Sequence, residues 1–142
     1  MTKTLPVFAG ATALACLVLV APARAATSYY QEFGGASGMR SMVNDFVNRV
    51  TADPRISNYF THTNIPALKA ALTNQFCNLE GGGCPFNMNM HAVHQSLGVT
   101  QAAFNALAND LTITMDNHHI PMAAQNNLLA KLAAMEPQVV TK

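Results

Sequence analysis

Charged side chains are scarce in this chain, and the few that occur are balanced in sign. The 142 residues include 8 basic and 7 acidic ones, which gives a formal net charge of +1. The sequence has neither a basic stripe nor an acidic tail, and this argues against nucleic acid as a partner. Half of the residues are apolar, which is enough to build the core of one domain and too many for a disordered chain.

Signatures of several enzyme classes are also missing. There is no serine nucleophile elbow, no glycine-rich phosphate-binding loop and no pair of carboxylates at catalytic spacing. The aspartates occupy polar faces of predicted helices or helix ends. We interpret all four as solvated surface charges, namely Asp45, Asp53, Asp110 and Asp116.

The apolar run near the N-terminus is too short to span a membrane comfortably. Residues 7–20 are almost wholly apolar, Lys3 precedes them, and Ala23-Arg24-Ala25 follows them. This order is typical of a signal peptide with an A-x-A cleavage site. We therefore predict a cleavable leader at residues 1–25 and a mature domain at 26–142, without a stable membrane span and either periplasmic or secreted. An uncleaved N-terminal anchor is the alternative.

The mature domain lacks the polar and apolar alternation of a half-buried strand, and helical spacing takes its place. Apolar residues recur at helical intervals on one stripe, formed by Met39, Met42, Val43, Phe46, Val47 and Val50. This stripe predicts a helix over residues 36–52, with Gly34-Gly35 before it and Asp53-Pro54 after it. The fold class is predicted to be all-α.

Caps and breaks place the remaining helices. Pro66 suits the first turn of a second helix, and the glycines at 81–83 end it. A short helix is expected at residues 90–96, Thr100 caps the next helix, and Pro121 starts the last one. Four or five helices then share one core, and a prosthetic group can fill part of it.

Among the five histidines, His94 has the most apolar surroundings. Met90, Val93 and Leu97 flank it on the predicted short helix. A neutral imidazole in such a place needs a hydrogen bond or a metal ion. His94 is therefore the candidate ligand, and the wider sequence is needed to choose between these two roles.

Short segments from residue 30 to residue 140 follow one another in an order that is more specific than any one of them. They read YQEFGG at 30–35, VNDFVNRV at 43–50, ADPR at 52–55, YF at 59–60, TNI at 63–65, LK at 68–69, GG at 81–82 and MHAVHQSLGVT at 90–100, with Phe104 beyond. In this order and spacing the chain resembles the group 1 truncated hemoglobins over nearly the whole mature domain.

The resemblance implies a two-over-two helical sandwich around heme b, with His94 as the proximal iron ligand. It implies that Phe60 stacks on the porphyrin and that Thr63 and Lys69 lie on the propionate side. The distal wall implied by the same match consists of Phe46, Val47, Leu68, Leu72, Gln75 and Phe76. Further heme contacts fall at Met90, Val99 and Phe104.

Three departures from the family pattern concern the distal pocket and a loop. Val47 stands where many members have a tyrosine whose hydroxyl donates to bound oxygen, and Leu68 and Leu72 stand where glutamine is common. Gln75, about one turn further along, is the nearest polar candidate. We therefore expect a largely apolar pocket that retains oxygen weakly. The loop at residues 86–89 is also shorter than in the family.

Removal of the leader removes Cys16 and leaves Cys77 and Cys84 on either side of the glycine run. In an oxidising compartment we expect these two to form a disulfide, as in exported-looking relatives, with a contribution of about 2–3 kcal/mol to stability. Two free buried thiols are the alternative.

The function favoured by this evidence is reversible binding of a diatomic gas, oxygen or nitric oxide, with carbon monoxide as a further ligand, at a five-coordinate iron. Nitric oxide dioxygenation or peroxidase-like activity would need an electron donor that the sequence does not identify.

Two other functions stay open. One is a copper protein that uses Met88, Met90, His91 and His94 or Met115, His118, His119 and Met122. The other is a heme-free helical interaction module.

Overall fold

The computed structural model describes residues 27–142, so the predicted leader and Cys16 lie outside the described residues. All regular structure in this part of the chain is helical, which confirms the all-α class. The helices are α1 (Tyr29–Glu32), α2 (Gly35–Ala52), α3 (Ile65–Leu79), α4 (Met90–His94), α5 (Gln101–Asn117), α6 (Met122–Ala134) and α7 (Glu136–Val139), and a 3-10 turn covers Ser57–Phe60. None of the helices between residues 27 and 142 has the length and apolarity that a bilayer crossing requires.

Helix α2 is the centre of the core, and it packs against both α3 and α5. Its predicted apolar stripe is confirmed, because all six residues of that stripe are at most 1% exposed. The helix begins one residue before the predicted start, at Gly35. Gly34 precedes it with a φ of 82°, a left-handed conformation that glycine adopts without the strain of a Cβ atom.

Side-chain caps fix the starts of three helices. Asn64 accepts a hydrogen bond from the Ala67 amide at the start of α3, and Asn89 accepts one from the Ala92 amide at the start of α4. Thr100 caps α5 as predicted. Helix α4 ends at His94 and not at residue 96, because the chain tightens into a turn in which the Leu97 amide donates to the His94 carbonyl.

Helices α1 and α7 were not predicted, since four residues are too few to show a periodic stripe. They are stabilised by packing and not by their own length. Helix α1 packs against α2 and α6, while α7 packs against α6 and α4. The C-terminal helix therefore lies beside the short helix that carries His94.

The interpretation of Asp110 as a solvated charge is wrong. Asp110 is 3% exposed, and its carboxylate lies 3.7 Å from the Arg55 guanidinium, which also binds Asp53 at 2.6 Å. Arg55 hydrogen-bonds the Asp53 carboxylate and lowers the pKa of Asp53 to about 2. Burial raises the pKa of Asp110, and the neighbouring Asp53 carboxylate raises it further. The counter-ion comes from a segment more than 50 residues away, so the local pattern around Asp110 could not indicate burial.

Glu80, at the end of α3, is a second buried carboxylate. Its side chain is fully enclosed, and neither oxygen has a hydrogen-bond partner among the described residues. The Lys131 ammonium lies 3.5 Å from one of the oxygens and donates its hydrogen bond to the Leu79 carbonyl. Burial raises the pKa of Glu80 because the charged form loses its hydration there.

We expect the stability advantage of Glu80→Gln over wild type to grow as the pH rises above 4.5, the ordinary pKa of glutamate. Above this pH, Glu80 keeps its proton in folded wild type but releases it in the unfolded chain. The contribution of Glu80 to the free energy of unfolding is therefore complete below the ordinary pKa and is lost as the pH rises through the raised pKa of the folded state. The difference in the free energy of unfolding between the variant and wild type grows by at most about 1.4 kcal/mol per pH unit. Urea denaturation between pH 4 and 8 measures it, with Glu136→Gln as a control for a partly exposed carboxylate. A pH-independent difference would contradict the assignment.

Candidate functional site

The geometry of His94 fixes the chemistry of its ring. The Nδ1 atom lies 2.7 Å from the Met90 carbonyl oxygen one turn earlier. Because a carbonyl can only accept, Nδ1 carries a proton and donates, and the neutral tautomer that makes this bond has its lone pair on Nε2. Within residues 27–142, Nε2 has no hydrogen-bond partner. His94 therefore presents an oriented nitrogen lone pair, as a metal-binding imidazole does.

Several distant segments hold the short helix α4 in place. The Thr141 hydroxyl donates to the His94 carbonyl at 3.5 Å, and the amides of Thr141 and Lys142 donate to the Val99 carbonyl at 2.9 and 3.2 Å. The Tyr59 hydroxyl donates to the Gly98 carbonyl at 3.4 Å. The last contact brings the Tyr59-Phe60 turn to the segment that follows His94.

The residues expected to contact heme divide into two groups by burial. The first group consists of large, partly exposed apolar side chains that pack on the core, namely Phe60, Leu68 and Leu72. Met90 and Phe104 are also partly exposed. The second group is buried in the core and comprises Phe46, Val47, Phe76 and Val99. The first group thus has apolar surface to offer a ligand, whereas the second group is covered by the core in this structure.

Two polar residues of the expected site have surroundings that the sequence did not indicate. The Lys69 ammonium donates to the side-chain oxygens of Asn44 and Asn48 on α2, at 2.6 and 2.9 Å. Gln75 is 6% exposed, and its amide nitrogen lies near the sulfur atoms of Met90 and Met135. Thr63 is partly buried, and its amide donates to the Phe60 carbonyl at 3.1 Å.

Lys69 also lines a surface groove of about 450 Å³ between α2 and α3, but this groove is a poor candidate for heme. The other lining residues are Arg40, Asn44, Pro66, Ala70, Thr73 and Asn74. None of them is aromatic or a large aliphatic residue, so the groove lacks the apolar faces that a porphyrin needs. The features that suit heme lie instead around His94 and the Tyr59-Phe60 turn.

A family model for bacterial-like globins matches residues 28–141. The group 1 truncated hemoglobin GlbN of Mycolicibacterium paratuberculosis is 30% identical over 115 residues, which are 80% of this chain and 85% of that protein. This chain belongs to the bacterial-like globins, as a group 1 truncated hemoglobin. The group 1 truncated hemoglobin of Tetrahymena pyriformis is 26% identical over 87 residues, 61% of this chain and 72% of that one.

Solved structures of truncated hemoglobins share its fold. The Fe(III) form of the Tetrahymena pyriformis protein superimposes with a TM-score of 0.77 at 22% identity, over 82% of this chain and all of that one. The 2/2 hemoglobin from Synechococcus sp. PCC 7002, in the cyanomet state with covalently attached heme, gives a TM-score of 0.75 at 24% identity over the same shares. The predicted two-over-two helical sandwich is confirmed, and membership of the family implies heme binding.

The disulfide of this truncated hemoglobin joins the end of α3 to the segment before α4. Cys77 and Cys84 are bonded, and their Cα atoms are 5.6 Å apart, so the predicted pairing is present. Gly81 and Gly83 have φ values of 83° and 75°, which let the chain reverse within the seven-residue separation. A Cβ atom on Gly82 would lie 2.5 Å from the Cys77 sulfur. The glycine run is therefore the backbone that this disulfide requires.

We expect removal of this disulfide by Cys77→Ala/Cys84→Ala to lower the free energy of unfolding by about 2–3 kcal/mol, because the unfolded chain regains the freedom of the closed loop. Chemical denaturation of oxidised wild type and of the double variant measures the loss. Wild type with both thiols reduced is the matched control and should resemble the variant. Equal stability of oxidised and reduced wild type would contradict this expectation.

Several side chains of the copper alternative have other surroundings or partners in this truncated hemoglobin. Met115 is fully buried whereas Met122 is 65% exposed, so these two sulfur atoms do not share a site. His118 Nε2 lies 2.8 Å from the Asp45 carboxylate on α2, which gives that ring a different role. In the other group, Met88 is 45% exposed and the Met90 sulfur lies near the Gln75 amide.

Proposed function

We propose that this truncated hemoglobin holds heme b through the Nε2 atom of His94 and reversibly binds a diatomic gas, either oxygen or nitric oxide. The observation that carries the proposal is the hydrogen bond from His94 Nδ1 to the Met90 carbonyl. It orients the ring and leaves Nε2 as the available donor atom. Heme, when bound, supplies a ferrous iron whose open coordination position takes up the gas.

The aromatic and aliphatic side chains near α4 and the 3-10 turn are suited to an apolar disc. Phe60 follows Tyr59, whose hydroxyl is tied to Gly98, and it keeps part of its ring accessible. Leu68 and Leu72 on α3 are also partly exposed and pack against the core. Together with Phe104 these residues would bind the porphyrin by dispersion and by removing apolar surface from water. The donor atom and the apolar surface therefore fit heme.

The residues proposed for the distal side of the heme favour reversible binding of the gas over its strong retention. Val47 has no hydroxyl to donate to the gas, and Leu68 and Leu72 have no polar atoms in their side chains. Gln75 directs its amide nitrogen at sulfur atoms. A pocket with these residues has few hydrogen-bond donors that could stabilise oxygen, so we place gas binding before oxygen-activating chemistry.

We also propose that the protein is exported after cleavage before Ala26. The A-x-A site at residues 23–25 and the short apolar run before it support cleavage, and a disulfide is a bond that persists in an oxidising compartment. Edman sequencing of the mature protein from its native host tests the boundary. A chain that begins at Met1 would contradict it.

An absorption spectrum of the purified holoprotein is the direct test of the proposed function. A Soret band that shifts on dithionite reduction and again on addition of carbon monoxide is expected. A pyridine hemochrome spectrum identifies the heme type, and heme b is the expected result. A purified protein that neither contains nor takes up heme, but binds copper stoichiometrically, would favour the copper alternative.

A further inference from the structure

Gln75 lies on α3, and its side-chain amide nitrogen has two sulfur acceptors from other segments of the chain. The amide nitrogen is 3.5 Å from the Met90 sulfur on α4 and 3.8 Å from the sulfur of Met135, which joins α6 to α7. Gln75 is 6% exposed, so these contacts occur away from solvent. A thioether is a weak acceptor, but a buried amide hydrogen without any partner would destabilise the folded protein.

Met90 connects this contact to the candidate iron ligand. Its sulfur accepts from Gln75, and its carbonyl oxygen accepts from His94 Nδ1 at 2.7 Å. Met90 is also the first residue of a helix of only five residues. A helix this short cannot hold its own geometry in water, so contacts from other elements determine where Met90 lies.

We infer that Gln75 is a positioning residue for the proximal ligand, which it orients through Met90, and not a distal hydrogen-bond donor. The inference rests on the proposed role of His94. A ligating histidine becomes a stronger donor when its other ring nitrogen gives a good hydrogen bond, because the ring then gains imidazolate character. Displacement of Met90 would weaken the Nδ1 hydrogen bond and with it the bond from Nε2 to iron.

Two variants isolate the contact. Gln75→Leu removes the amide and places an apolar side chain of similar size between two methionines. Surroundings formed by methionine side chains tolerate this substitution. Met90→Leu removes the sulfur and keeps the carbonyl that His94 uses. Asn74→Leu is the matched control, because Asn74 is the exposed neighbour on the same helix.

Resonance Raman spectroscopy of the ferrous protein reports both sides of the heme separately. With Gln75→Leu we expect the iron–histidine stretching band to move to lower frequency, while the C–O stretching band of the carbon monoxide complex stays in place. Met90→Leu should shift the first band in the same direction, and the double variant should add little to either single change. Asn74→Leu should leave both bands unchanged.

The opposite spectrum would overturn the inference. A shifted C–O band with an unchanged iron–histidine band would make Gln75 a distal donor after all. Two unchanged bands with lower stability would make it a structural residue only. Heme loss to excess apomyoglobin should also be about 10-fold faster in Gln75→Leu, the lower end of the effect known for partners of ligating histidines.

A measurement on the apoprotein separates failure of this inference from failure of the proposed function. Nitrogen-15 NMR of the His94 ring should show the proton on Nδ1 in wild type and a loss of that preference in Gln75→Leu. The same tautomer in both apoproteins would overturn the inference even if heme binds at His94. A protein that binds no heme would remove the proposed function, and the tautomer shift would still report the link from Gln75 to His94.

Discussion

His94→Ala is expected to abolish stable heme retention, while His91→Ala retains heme with a wild-type spectrum. His94 is the ring whose Nδ1 is anchored to the Met90 carbonyl and whose Nε2 stays available. His91, three residues earlier on the same short helix, is exposed. Without the proposed iron ligand, only apolar contacts would hold the heme, and these would allow it to dissociate or to change its orientation.

The two variants should be reconstituted with equimolar hemin and passed through a desalting column before their spectra are recorded. The heme-to-protein ratio after the column measures retention. Circular dichroism checks that both variants fold. Addition of imidazole to His94→Ala should restore a histidine-like spectrum, because the free ligand can occupy the space left by the ring. Retention in His94→Ala together with loss in His91→Ala would show that the wrong histidine was assigned.

The second large effect concerns Val47. We expect oxygen to dissociate about 10-fold more slowly from Val47→Tyr than from wild type. A hydrogen bond from a tyrosine hydroxyl contributes about 0.5–1.5 kcal/mol, and more in a dry pocket, while a factor of 10 corresponds to about 1.4 kcal/mol. Carbon monoxide should respond less, since it gains less from a donor. Stopped-flow replacement of oxygen by carbon monoxide gives the rate.

Val47→Phe is the matched control for that experiment. Val47 is fully buried in the core of this structure, so either aromatic ring must displace its neighbours, at a cost of about 1–3 kcal/mol. Phenylalanine makes the same steric demand without the hydroxyl, and its oxygen dissociation rate should stay close to that of wild type. Equal slowing in both variants would assign the effect to bulk. Slow release from wild type itself would point to a donor other than the residue at 47.

Helices with a continuous stripe or a side-chain cap could be predicted from the sequence. The stripe of α2 and the Thr100 cap are local, because the residues that define them lie within a few turns of one another. Helix α7 and the burial of Asp110 could not be predicted in this way. The first is stabilised by packing on α4, and the second depends on Arg55.

In the candidate site, too, the features defined by nearby residues could be predicted, and those that depend on distant residues could not. His94 stood out because its motif and its apolar flanks lie in one short segment. The contacts that hold its segment come from Tyr59 and Thr141, which lie 35 or more residues away from His94 along the chain and belong to no local pattern. Gln75 was identified as polar and close to the site, but its helical position alone could not show that its amide meets two sulfur atoms.

The contact between residues 141–142 and the His94 segment also sets the order in which the site can form during synthesis. Thr141 and Lys142 hydrogen-bond to the Val99 carbonyl, and α7 packs on α4. A ribosome makes the His94 segment some 40 residues before these partners. The nascent chain can therefore build the α2–α3 half first, but α4 gains its full support only after residues 136–142 have left the exit tunnel.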